Sequence, residues 1–131
     1  MISQEIRAVL NERLRVLKDT DDEWDYGIEK CWKEETQILA ENISDALLFF
    51  ETECTDEELY WLSEVFSDVS KIVQCKKFVQ VLRSRLAQVT RETYDQKSFK
   101  SEHMRNCIDY DEYVRSISMA IDYADGALSE K

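Results

Sequence analysis

Ile6, Val9, Leu10, Leu14 and Leu17 recur every three or four positions, so one face of residues 3–18 is apolar and the segment predicts an amphipathic helix. Asp21 or Asp22 is placed to cap a second helix over about 22–40, whose inner face carries Trp24, Ile28, Cys31, Ile38 and Leu39. Gly27 weakens its first turns. Asn42 offers an N-cap for a short helix holding Ile43, Leu47 and Phe50 and reaching toward Cys54. The strongest start signal is Thr55-Asp56-Glu57-Glu58, in which a Thr at the N-cap and a Glu three residues on have the form of a capping box. It opens a helix over about 56–73 with Leu59, Leu62, Val65, Phe66, Val69 and Val73 inward. A break at Gln74-Cys75 leads to a helix over 76–89 carrying Phe78, Val79, Leu82, Leu86 and Val89. Residues 90–108 are polar and weakly periodic, predicting a loop or a short irregular helix. The last helix, about 109–128, presents Tyr113, Ile117, Ala120, Ile121, Ala124 and Leu128.

This pattern predicts an all-α fold, a single compact domain over residues 1–131 of about six helices packed as antiparallel hairpins. Composition sharpens it. The chain has no Pro and only Gly27 and Gly126, which removes the turn chemistry of sheet-rich folds and the glycine loops that cradle phosphates. No fixed-period repeat is visible. No apolar run reaches the roughly 20 residues of a membrane span. Met1-Ile2-Ser3-Gln4-Glu5 lacks the basic and hydrophobic regions of a signal peptide, so the expected location is cytoplasmic. Cys31, Cys54, Cys75 and Cys107 show no metal-site spacing and read as reduced, mostly buried thiols.

The net charge is −11, but it is unevenly spread. Residues 19–69 carry 17 acids against two bases, whereas residues 71–105 carry nine bases against three acids. The acidic block also holds eight of the 14 aromatic residues. Such a balance opposes nucleic acid and anionic membranes and favours a basic partner. Lys71, Lys76, Lys77, Arg83 and Arg85 suggest either a nucleic-acid strip or, as the neighbouring acids favour, charges that balance the fold.

Candidate chemistry is sparse. The lone His103 lies in Lys100-Ser101-Glu102-His103, with no nucleophile signature around it. The run Asp19-Thr20-Asp21-Asp22-Glu23-Trp24-Asp25 resembles a calcium loop only until its sixth position, where Trp24 stands in place of the required glycine. No enzyme, catalytic residue, metal site or cofactor is expected. Asp21, Asp22, Glu23 and Asp25 read either as acids complementing a helix N-terminus or as an acidic ridge for a cationic partner. On a helix over 56–73, at about 100° per residue from Glu57, Trp61 falls near 40°, Glu64 near −20°, Asp68 near 20° and Tyr60 near −60°. The inner residues spread over roughly 80° to 200° on the same wheel. Glu57, Tyr60, Trp61, Glu64 and Asp68 are therefore the first candidate for a partner-binding face, aromatic rings within a carboxylate rim. Trp61 stands at the boundary, and the wheel leaves open whether it belongs to the face or to the core.

The run Asp56-Glu57-Glu58-Leu59-Tyr60-Trp61-Leu62-Ser63-Glu64-Val65-Phe66-Ser67-Asp68-Val69, followed by Cys75-Lys76-Lys77-Phe78 and Leu82-Arg83-Ser84-Arg85-Leu86, resembles small α-helical immunity proteins of bacterial polymorphic-toxin and contact-dependent growth inhibition systems. Asn42-Ile43 ahead of Phe49-Phe50, and the closing segment from Ala120 to Leu128, fit the same pattern. The resemblance implies a non-enzymatic inhibitor that binds a cognate toxin domain, often a nuclease. The alternative is an acidic interaction module or DNA mimic that inhibits a basic DNA-binding protein.

Overall fold

The computed structural model describes residues 2–20 and 25–129, and within these it is helical with no strand. The helices are α1 (Ile2–Thr20), α2 (Asp25–Glu41), α3 (Ile43–Thr52), α4 (Asp56–Leu62), α5 (Phe66–Val73), α6 (Lys76–Ala87), α7 (Glu102–Cys107) and α8 (Tyr110–Gly126). No helix among the described residues is long and apolar enough to cross a membrane.

Local chemistry sets most of the boundaries. The capping box forms: Thr55 Oγ1 accepts from the Glu58 amide at 3.1 Å, and Glu58 Oε1 accepts from the Thr55 amide at 2.9 Å. Asp109 caps α8 by accepting from the Glu112 amide at 2.9 Å. Asn42 departs from expectation. It precedes α3 but makes no side-chain cap there; its Nδ2 donates to the Ile38 carbonyl at 2.9 Å and so closes α2 instead.

The single helix expected over 56–73 is two helices, α4 and α5, joined by a 3₁₀ turn at Ser63–Val65. Ser63 Oγ donates to the Tyr60 carbonyl, a side-chain bond that competes with the helical ladder. Val65 adopts φ −116°, ψ 7°, outside helical geometry. At Gln74 the chain turns left-handed, with φ 48° and ψ 48°. Glycine normally occupies such a position. Here the Gln74 side chain holds it, donating to Lys71 and Ala127 carbonyls at 3.0 Å each and accepting from the Ser129 amide, which ties the end of α5 to the end of α8.

α1 and α2 form a hairpin, α2 packs on α5, and α5 and α6 both pack on α8, with α3 against α6. Ser70 Oγ donates across the α5–α8 contact to the Ala124 carbonyl at 2.6 Å. Phe50, Phe66 and Phe78 meet edge to face at 5.9 to 6.1 Å in the centre of the core. Each is fully buried, and such pairs add specific geometry to the area they bury.

Residues 90–108 combine loop, a 3₁₀ turn at Gln96–Ser98 and α7. Their anchor is Tyr94, which packs on Tyr113 at 5.0 Å and Phe99 at 5.4 Å while its hydroxyl donates to the Ile108 carbonyl. Phe99, Met104 and Ile108 are buried, so the weak periodicity conceals a real docking edge. All four cysteines are free thiols, but only Cys31 and Cys54 are buried; Cys75 is half-buried and Cys107 is exposed.

Candidate binding surface

The helix wheel from Glu57 loses its phase at the 3₁₀ turn, because three residues there advance about 120° each rather than about 100°. That shift moves Asp68 relative to the others, whereas Glu57, Tyr60 and Trp61 precede the turn and are separated by the partners each finds elsewhere in the fold. Glu57 turns back on the protein, its two oxygens accepting from the Lys100 and Ser101 amides at 2.9 Å each, at the entrance to α7. Tyr60 is half-buried and stacks on Tyr113 at 6.1 Å, and burial pushes its phenol pKa up. Trp61 belongs to the core, 5% exposed, with the Arg13 guanidinium 5.2 Å from its ring and His103 at 6.3 Å. Its Nε1 has no hydrogen-bond partner. Glu64, its side chain 25% exposed, receives Arg13 in a bidentate pair at 3.1 and 3.0 Å. Asp68 is exposed on α5 and makes no ion pair among the described residues.

Tyr60, Trp61 and Glu64 do share one cavity of about 430 Å³ with Arg13, His103 and Ser116. Asp68 lies elsewhere, between α2 and α5. Asp21, Asp22 and Glu23 lie outside the described residues, as does the side chain of Asp25, whose backbone opens α2.

Two buried charges escaped the sequence reading. Arg13 is 2% exposed and Glu35 is fully buried. Both occupy apolar stripes at helical spacing, Val9-Arg13-Val16 on α1 and Cys31-Glu35-Leu39 on α2, and a charge inside such a stripe is the signal that marks them. Neither Glu35 oxygen has a hydrogen-bond partner. Burial first, then the like charge of Glu64, pushes the Glu35 carboxyl up to about 8 against the pull of Arg13. This carboxyl is therefore neutral at ordinary pH. No group of three or more His, Cys, Asp or Glu is placed to hold a metal ion among the described residues.

The surface electrostatics follow from which charges find partners inside the fold. Arg7 pairs with Glu58, Arg15 with Glu12 and Asp19, Arg83 with Asp122 and Asp125, Arg85 with Asp56, Arg91 with Asp111 and Arg115 with Glu112. Of the five bases expected to balance the fold, Arg83 and Arg85 do so, whereas Lys71, Lys76 and Lys77 are exposed and make no ion pair among the described residues. By contrast Glu29, Glu34 and Glu41 on α2, Asp45 and Glu51 on α3, and Asp68 on α5 are exposed with no ion pair among the described residues. Six acids of the 19–69 block thus stand exposed and without an ion pair on these three helices, beside the exposed Lys30, Lys33 and Lys71. No protein family, curated protein or solved structure matches the chain.

Proposed function

We propose that the chain is an immunity protein, a non-enzymatic cytoplasmic inhibitor that binds a cognate bacterial toxin domain, in the first place a nuclease, through the acidic surface of α2, α3 and α5. One observation supports the reading most: seven of the eight arginines are ion-paired within the fold, while six exposed acids on these helices have no ion pair among the described residues. A surface of unpaired carboxylates attracts a protein that presents Lys and Arg. A nuclease presents them to grip phosphates, so the same groups that bind its substrate are open to capture. Complementary fields also raise the association rate, which matters when an arriving toxin must be stopped before it acts.

Co-expression with a candidate toxin domain, taken from the reading frame beside its own where that frame encodes one, tests the proposal. Growth should be rescued against that toxin and not against unrelated basic nucleases. Rescue against many basic nucleases alike would favour the DNA mimic, and no rescue would end the proposal.

A further inference from the structure

The groove between α2 and α5 has a volume of about 630 Å³ and lies within the acidic surface. Its floor is apolar. Trp32, Thr36 and Ala40 follow one another at four-residue steps on α2, and Ile72 faces them from α5 with 63% of its surface exposed. An aliphatic residue so exposed beside a half-buried Trp is the composition of an unfilled anchor site.

The rim supplies the charge pattern. Glu29 and Glu41 stand at opposite ends of the α2 side, 12 residues and so about 18 Å apart along the helix axis. Asp68 stands on the α5 side, and Lys33 and Lys71 also reach the rim. The acids at the two ends select bases at the two ends of an occupant. A stretch of about 18 Å corresponds to roughly three helical turns.

We propose that the α2–α5 groove is the docking site for an amphipathic helix of the toxin, about three turns long, with an aliphatic stripe toward Trp32 and Ile72 and a basic residue near each end. This rests on the immunity reading for its partner, while the groove's own preference is independent of it. The helix lays its apolar face on the floor, and its terminal bases meet Glu29 and Glu41.

The test uses two synthetic 14-residue helical peptides with the same leucine stripe, one ended by lysines and one by glutamates, titrated into the full chain. Indole N–H resonances are followed, with Trp32→Phe assigning the Trp32 signal. The lysine-ended peptide should shift the Trp32 indole, leave Trp61 in place and bind at least tenfold more tightly than the glutamate-ended one. Ile72→Asp should weaken it at least tenfold with an unchanged thermal midpoint, since Ile72 is exposed. Equal binding of the two peptides, no binding, shifts that avoid Trp32 or indifference to Ile72→Asp would overturn the groove. A toxin arm separates the two claims. If the native chain neutralises the candidate toxin and Ile72→Asp neutralises it equally, the groove is not the toxin site and the immunity reading stands. If the peptide results hold and no toxin is neutralised, the groove stands and the immunity reading falls.

Discussion

Replacing Glu35 by Gln should make the folded protein less sensitive to alkali. The Glu35 carboxyl is fully buried, its oxygens have no hydrogen-bond partner, and it faces Glu64 and Arg13, with Glu34 alongside on its own helix. Its pKa rises from 4.5 to about 8 on folding. Between those values the folded chain holds a proton that the unfolded chain has released. Stability therefore falls as pH rises through the window, by up to about 1.4 kcal/mol per pH unit. Below pH 4.5 both states are protonated and the contribution vanishes; above pH 8 the full penalty, at most about 5 kcal/mol, is in place. That is a large share of the roughly 5–15 kcal/mol that stabilises a domain. Gln keeps the shape and cannot ionise. Urea unfolding under reducing conditions at pH 5, 6, 7 and 8 measures the slope, and Glu35→Gln should flatten it by roughly 1 kcal/mol per pH unit. The Cys31 thiol, pushed up to about 11 mainly by burial and then by the Glu35 charge, titrates above this range and does not obscure it. Equal slopes for the two proteins, within about 0.3 kcal/mol per pH unit, would show that Glu35 is ionised and solvated in the folded state.

Phe50→Ala removes the ring that meets Phe49, Phe66 and Phe78, and should cost about 3–5 kcal/mol in chemical denaturation, with no loss of helical circular dichroism at low temperature. Thr55→Ala deletes one arm of the capping box and should lower stability by about 1 kcal/mol, whereas Thr55→Ser should be nearly neutral. Glu57→Ala frees the Lys100 and Ser101 amides, so their hydrogen exchange should accelerate by about tenfold or more while amides in α8 keep their protection.

The elements legible in the sequence are those whose causes are local. The stripes of α1 and α8 and the Thr55 capping box depend on residues within a few positions of one another; the break at Gln74-Cys75, though readable, is also held by Ala127 and Ser129 at the end of α8. The turn at Ser63–Val65 was not legible, because it contains neither Gly nor Pro and arises from a Ser hydroxyl turned onto the Tyr60 carbonyl. That local event moved the phase of Asp68 relative to the rest of the expected binding face. The face was further dismantled by distant partners: Glu57 finds amides 43 and 44 residues away, and Glu64 finds Arg13 at a separation of 51. No wheel drawn on one helix contains those contacts. Trp61, left at the boundary by its angle, is drawn inward because α1 and α7 cover it with Arg13 and His103. Asp68 keeps its exposed position, and the acids of α2 and α3 emerge as its companions only once seven of the eight arginines are seen to be paired elsewhere. Arg13 and Glu35 were readable in principle as charges within apolar stripes.

Titration of the purified chain with a candidate toxin domain, should a neighbouring reading frame encode one, by calorimetry at 50 and 200 mM salt, bears most directly on the proposed function. Binding should be one to one, weaken at least tenfold at the higher salt, and weaken again when Glu29, Asp45 and Asp68 are reversed to Lys together, with the fold intact by circular dichroism. Absence of binding, or binding indifferent both to salt and to the three reversals, would contradict an acidic docking surface on α2, α3 and α5.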